Sequence, residues 1–231
     1  NQDGKSVTLG REGSDYTASI LAYALDAAEV VFWKDVPGLM NADPKDFSDA
    51  RKLDQISYWE AIELSYYGAK VIHPKTIKPL QNKIIPLKVK SFINPADDGS
   101  LIFHETSGDA RIPSYIIKDD QVLISFSPKD LSFIAEEILH YIIGIFIKYK
   151  VSINLMQTSA ITFSVCVDNG DNISKIIKEL EGRYNIKFNK GLVLITIRHY
   201  TTEAIQEMVK DKTILLEQRS RSTVQYVVKE T

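Results

Sequence analysis

A chain of 231 residues with 44% hydrophobic and 25% charged side chains holds enough apolar material for one large domain or two to three small ones. Its formal net charge of −2 gives no electrostatic case for binding nucleic acid or an anionic membrane surface, and its single cysteine excludes an internal disulfide framework and a cysteine-rich zinc site. The longest apolar run, Tyr141 to Tyr149, already contains Lys148 and falls far short of the ~20 residues of a membrane span, so a cytoplasmic, membrane-free protein is expected.

The chain opens on asparagine rather than methionine and reads as cut at its front. Almost at once comes the glycine-rich stretch TLGREGSD, Thr8 to Asp15. Gly10 and Gly13 let the backbone approach a ligand closely, and Arg11 offers a planar fork to a carboxylate or phosphate. Asp15 could pair with an ammonium group, so the loop has the polarity of an amino-acid zwitterion; a glycine-rich turn with a surface arginine reads the same way. The following SDYTASILAYALDA predicts a helix capped by Ser14 or Asp15, with Ile20, Leu21, Ala24 and Leu25 toward the core.

AEVVFW reads as a buried strand, and Asp35 follows at its C-terminal end, where open α/β sheets bind ligands. A turn-forming aspartate before Pro37 and Gly38 is the competing reading. Ser57 is expected to cap the helix YWEAIELSYY with Glu60 as capping-box partner, Gly68 to stop it, and Pro74 to begin the next helix. Lys70 between them either reaches a phosphate or is a solvated surface lysine, and His73 reads as structural. IPLKVKSF is a strand, and NPADDGSLI a turn into another. This order predicts a parallel sheet covered by helices. The four histidines, His73, His104, His140 and His199, show no metal-ligand spacing, so no protein-held metal is expected.

The polar FHETSGDAR reads as a linker, assigned to residues 104–112. Beyond it, SYIIKDDQVLISFS gives two short strands or one bent one. LSFIAEEILHYIIGIFIKYK gives an amphipathic helix with Leu131, Ile134, Ile138, Ile142 and Phe146 on one stripe. Two strands, VSINLMQT and AITFSVCVD, a helix and a strand IKFN complete a βαββαβ unit of the ferredoxin-like type. Cys166 packs in the second of these strands. A second copy then begins with GLVLITIRH and lacks its last helix and strand, for which PSYIIK, residues 113–118, is a spare strand. Asn154, Gln157, Thr158 and Ser159 either line a small polar pocket or form the exposed side of a strand and turn.

Together, TLGREGSDYTA, KDVPGLMNADPK, ARKLDQISYWEAIELSYYGAKVIHP and IPLKVKSFINPADDGSLI follow one another as in aspartokinases. The resemblance is close over about residues 6–102 and looser to the end. It implies an α/β amino-acid-kinase-like domain, partial at its N-terminus, at 1–103, followed by two α+β ferredoxin-like ACT domains. The first would span 119–185, and the second 186–231 with its missing strand supplied by 113–118. It implies transfer of the ATP γ-phosphoryl group, with Mg²⁺, to the β-carboxylate of L-aspartate, on the route to lysine, threonine and methionine.

By the same match, Arg11, Ser14 and Asp15 would bind aspartate. Asp35, Pro37, Gly38 and Lys45 would lie against the nucleotide, and Lys70 would face the phosphates as the catalytic lysine. Ser152, Asn154, Thr158 and Ser159 match effector positions, lysine being the first choice and threonine the second, in a homodimer joined through ACT domains. The sequence departs from the family at Glu12, often glycine; at Lys34, Met40 and Lys45, often threonine, tyrosine and arginine; and at Asn154, where lysine-sensitive enzymes often have aspartate. The family's glycine-rich KFGGTS-type opening is not in this chain, so the chain alone is expected to be inactive as a kinase. A stand-alone amino-acid-binding ACT module is the competing reading. A relative acting on glutamate or a nucleotide is disfavoured by the LGR.GSD loop and the ACT pair.

Overall fold

The computed structural model describes residues 4, 13–69, 72–109 and 112–230. The chain divides into two compact units, 1–116 and 117–231.

In the first unit, four strands form a sheet in the order β1-β3-β4-β2: β1 (Val30–Lys34), β2 (Gln55–Ser57), β3 (Leu87–Ser91) and β4 (Ser100–Phe103). β1 pairs parallel to β3, and β2 parallel to β4. β3 and β4 are antiparallel, so the sheet is mixed rather than parallel as expected. The connection from Ser91 to Ser100 is too short for a parallel crossover, which needs a dozen or more residues. Alternation along the strands turns Phe32, Leu87, Val89 and Ile102 to one face, where they bury against α2 (Tyr58–Tyr67) and α3 (Pro74–Asn82) through Ala61, Leu64, Ile77 and Leu80. Each fully buried Leu, Ile, Val or Phe side chain among these contributes about 1.5–3 kcal/mol of transfer free energy.

The helix α1 (Gly13–Ala24) docks differently from expectation. Ser19 and Ala22 are its buried residues, Ala18 is half-buried, and Ile20, Leu21, Ala24 and Leu25 are exposed. Small side chains at 18 and 22, one turn apart, share a face by the helical repeat and let the helix lie close against its neighbours. Ser14 and Asp15 stand inside the first turn, not at the cap.

The helix α2 is capped as expected by Ser57, whose side chain accepts from Glu60 N, and Gly68 ends it at φ 125. The Ser57 backbone N–H, which a capping box would give to Glu60, donates instead to Asp109 Oδ1 at 2.6 Å. His73 caps α3, its Nδ1 accepting from Lys75 N at 3.1 Å, with Pro74 in the first turn. That is the structural role read from the sequence.

In the second unit, six strands run in the order β6-β7-β5-β8-β10-β9: β5 (Ser114–Pro128, beginning in the first unit), β6 (Ile153–Thr158), β7 (Phe163–Asp168), β8 (Tyr184–Arg198), β9 (Lys212–Arg219) and β10 (Thr223–Glu230). The helices are α4 (Glu136–Lys148), α5 (Asn172–Leu180) and α6 (Thr202–Val209). The segments IKFN and GLVLITIRH, expected as separate strands, are one strand, β8. Gly191 sits within it at φ 64, and Asp120 within β5 at φ 49, so both long strands change direction without ending. α4 starts at Glu136, which leaves Leu131 outside the helix and exposed, while Ile142 and Phe146 fill the core as expected.

Val122, Ile124, Phe126, Phe163, Val165 and Val167 bury against α4 and α5, with Phe126 ringed by Phe146, Phe163 and Tyr184. The alternate residues Leu123, Leu155 and Cys166 cluster with Leu192, Leu194 and Val227. Gln218 Nε2 on β9 donates to Met156 O on β6 at 3.2 Å, although these strands are the two ends of the sheet order. The sheet therefore curls until its edges meet. Burial pushes the Cys166 thiol up to about 12, which makes it inert packing, as read from the sequence.

Candidate functional site

The C-terminal ends of the parallel strands β1 and β3 form one edge of the first sheet, tied by Phe92 N donating to Lys34 O at 2.9 Å. α1 precedes β1 in the chain and runs back along it, so its first turn lies over this edge. Asp15 in that turn accepts from Lys34 Nζ at 2.6 Å, with side-chain exposures of 14% and 26%. The free N–H groups and positive dipole of the α1 N-terminus lie at the same edge. Ser14 is exposed there. Arg11 and Lys70 lie outside the described residues.

After β1 the chain turns through Asp35, Pro37 and Gly38. Asp35 and Pro37 are exposed, while Gly38 is buried. Its close neighbour is Ser100 at the start of β4: a Cβ on Gly38 would come within 2.4 Å of Ser100 Oγ. Leu39 N donates to that same Oγ at 2.8 Å, so Gly38 and Ser100 fix the path of the turn. The loop then folds back as a ladder, with Asn41 N donating to Arg51 O at 2.9 Å and Leu53 N to Leu39 O at 2.8 Å.

Asn41 is the organiser of this loop. Its Oδ1 accepts from Arg51 N at 2.6 Å, its Nδ2 donates to Pro113 O at 2.9 Å, and its backbone O accepts from Tyr115 N at 2.7 Å. Phe47 stacks on Tyr115 with centroids 5.3 Å apart. Lys45 stays exposed at the loop tip, where its N–H donates to Asp43 Oδ1 at 3.0 Å. Sequence reasoning missed Asn41 and Ser100. Apart from Arg51, the partners of Asn41 and of Ser100 are 61 to 74 residues away in sequence.

A hollow of about 570 Å³ lies on the sheet face opposite the helices, lined by Val31, Trp33, Lys52, Lys88, Lys90 and Leu101 among others. It contains none of the residues singled out from the sequence. Among the described residues, no group of three His, Cys, Asp or Glu side chains could hold a metal ion, and no helix is long and apolar enough to cross a membrane.

In the second unit, Asn154 is the centre of a polar network on β5, β6 and β7. Its Oδ1 accepts from Lys118 Nζ at 2.9 Å, and its Nδ2 donates to Gln121 Oε1 at 2.9 Å and Asp168 Oδ1 at 2.8 Å. Gln121 Nε2 donates to the same Asp168 oxygen at 2.8 Å. Thr158 and Ser159 lie at the far end of β6, ~13 Å along the strand by its rise per residue, and Ser159 closes the turn with Thr162. Ser152 is exposed just before β6. Of the four effector candidates, Asn154 and Thr158 lie on β6, while Ser152 and Ser159 flank its two ends.

These features define an α/β kinase-type sheet followed by two ferredoxin-like units that share β5 and β8. Residues 1–91 match the model of the amino acid kinase family. The lysine-sensitive aspartokinase 3 of Escherichia coli is 32% identical over 206 residues, covering 84% of this chain and 45% of that protein. The bifunctional aspartokinase/homoserine dehydrogenase of Haemophilus influenzae is 51% identical over 102 residues, 44% of this chain and 12% of that one. Among solved structures, E. coli aspartokinase III in complex with aspartate and ADP superposes with a TM-score of 0.80 at 28% identity, over 98% of this chain and 54% of that chain. The amino acid kinase match and the aspartokinase likeness thus lie along one chain, which spans about half the length or less of the aspartokinases it resembles.

Proposed function

We propose that this chain is the nucleotide-side catalytic and regulatory portion of an aspartokinase, which transfers the ATP γ-phosphoryl group to the β-carboxylate of L-aspartate to give 4-phospho-L-aspartate. The observation that carries the reading is the likeness over 98% of the chain to an aspartokinase solved with aspartate and ADP. Its residues 1–103 would be the kinase part, 104–112 a connection, 119–185 one ACT domain, and 113–118 with 186–231 the other. The placement of β5 between β7 and β8 supports that last pairing.

In this reading Arg11, Ser14 and Asp15 position aspartate at the α1 end of the crevice. Asp35, Pro37, Gly38 and Lys45 lie along the nucleotide, and Lys70 meets its phosphates. Phosphoryl transfer asks the protein mainly for alignment and for cations where negative charge moves, and Arg11, Lys45 and Lys70 are the cations of this set. Mg²⁺ would arrive on the triphosphate; no described cluster could hold it by itself. Ser152, Asn154, Thr158 and Ser159 would contribute to an effector site for lysine, or threonine, completed by a second copy in a homodimer.

A coupled assay of ADP release tests the reading in the longest natural protein that carries this chain. Aspartate-dependent turnover, with Arg11→Ala raising the aspartate KM and Lys70→Met lowering kcat, is the expected result; ADP release independent of aspartate would refute it. The 231-residue chain alone, which spans 45% of its E. coli relative, is expected to stay at the blank rate. A thermal melt against lysine, threonine, methionine and aspartate separates the regulatory part: a ligand at ~1,000 times its Kd stabilises by about 4 kcal/mol. A shift with an effector in a protein without kinase turnover would instead identify a stand-alone amino-acid sensor.

A further inference from the structure

We propose that Lys34 is a positioning residue of the proposed kinase site, which acts through Asp15 to lock the amino-acid end of the crevice to the nucleotide end. The inference rests on the aspartokinase reading and adds a residue to it. Lys34 is the last residue of β1 and is joined directly to Asp35, where the nucleotide turn begins. Asp15 belongs to the first turn of α1, four residues after Arg11 in sequence. The 2.6 Å ion pair between them is the described side-chain contact that spans the two segments.

Its surroundings make it a firm connection. Both side chains are largely covered, at 26% and 14% exposure, so solvent and salt screen the pair less than a surface one. The Lys34 stem leads out past the Phe32 ring, with Nζ 6.0 Å from the ring centroid, on the face that packs under the helices. The Lys34 carbonyl is held by Phe92 N at 2.9 Å, which fixes the backbone behind the ammonium. Among the described residues, Asp15 is the only hydrogen-bond partner of Nζ. A shift of the strand end therefore moves Asp15, and a shift of the α1 first turn moves the start of the nucleotide turn. Lys34 also neutralises Asp15, so an incoming amino acid meets an oriented ion pair rather than a bare carboxylate.

The test is a double-mutant cycle in the longest natural protein carrying the chain, with Lys34→Met, Asp15→Asn, both together, and Lys34→Arg. ADP release is measured against aspartate and against ATP, and each variant is melted. Lys34→Met is expected to raise the aspartate KM by about tenfold or more, although residue 34 lies on the nucleotide side, and the double variant should be no worse than Asp15→Asn alone. Lys34→Arg, which keeps a cation on Asp15, should stay within about threefold of the unsubstituted protein. If Lys34→Met melts early because it strands a covered carboxylate, the neutral double variant is compared with Asp15→Asn, and the same equality is required. Effects that multiply, or an unchanged aspartate KM in Lys34→Met, overturn the proposal while aspartate-dependent turnover leaves the kinase reading standing. Loss of aspartate dependence in the unsubstituted protein overturns both.

Discussion

Asp109 Oδ1 accepts the backbone N–H of Ser57 at 2.6 Å across 52 residues of sequence, and so completes the N-terminus of α2 from outside the helix. Ser57 is 2% exposed, so without Asp109 its N–H loses its partner in a place water does not easily reach. Asp109→Ala should destabilise the chain by about 1–3 kcal/mol in urea unfolding. Asp109→Asn keeps an acceptor oxygen and should recover most of that loss. Equal losses in the two variants would show that charge at the α2 N-terminus, not the hydrogen bond, is what matters.

Gly38 offers a second test, because its role is steric. At φ 156 and with a virtual Cβ 2.4 Å from Ser100 Oγ and 3.2 Å from Ser100 N, there is no room for even a methyl group. Gly38→Ala must displace the hydroxyl that accepts from Leu39 N, and with it the turn after β1. A cost of about 1–3 kcal/mol is expected by urea unfolding. In the double variant Gly38→Ala/Ser100→Ala the clash with Oγ is gone, so the combined cost should fall below the sum of the two single costs. Strict additivity would place the cost of the methyl group elsewhere than at Ser100 Oγ.

What the sequence made legible followed from local chemistry. The Ser57 cap, the Gly68 stop, the His73–Pro74 start and the Ile142–Phe146 core are each set by residues within about one turn of each other. What it left hidden depended on distant partners. The face of α1 was misread because Ile20, Leu21 and Leu25 outrank Ala18 and Ala22 in hydrophobicity, while close packing favours the smaller pair. The parallel sheet was misread because strand–helix alternation stops before β4, where a short turn returns the chain. Gly191 looked like the start of a strand, yet it is a bend inside β8, whereas the bend at Asp120 is the second of the two readings of SYIIKDDQVLISFS. In the candidate site, Asp15 was singled out from its own loop, whereas its partner Lys34 stood out only as a departure from the family pattern.

A pH response is expected from the α4–α5 contact. Lys148 Nζ donates to Glu179 Oε1 at 2.8 Å and Oε2 at 2.7 Å, and Tyr149 OH donates to Oε2 at 2.7 Å. These bonds, that of Lys148 first, hold the Glu179 carboxyl below its usual range, and the carboxylate in turn raises Lys148. A depressed carboxyl stabilises the fold above the unfolded value of about 4.3, and the gain is lost as pH falls through the lower folded value. The raised Lys148 stabilises below its unfolded value of about 10.4, and that gain is lost as pH rises through the folded value. Glu179→Gln should therefore melt below the parent chain at pH 7 and converge with it by about pH 3. A gap that persists at pH 3 would point to packing rather than charge.

Asn154 is where a single atom change should have the largest readable consequence. Its amide has three partners, accepting from Lys118 and donating to Gln121 and Asp168. An aspartate in its place could still accept from Lys118, but it has no donor, and it would set a second carboxylate beside Asp168, whose oxygen lies 2.8 Å from the present Nδ2. Gln121 Oε1 would lose a donor in a residue only 1% exposed, leaving the weak Cys166 thiol contact at 3.5 Å. Asn154→Asp should thus cost about 1–3 kcal/mol at pH 7 by urea unfolding. The cost should shrink as pH drops toward about 4, because protonation of the introduced carboxylate restores a donor and removes the repulsion. Asn154→Ala removes the donors without adding charge and should show no such recovery. Identical pH profiles for the two variants would mean that Asp168 does not sense a charge at position 154.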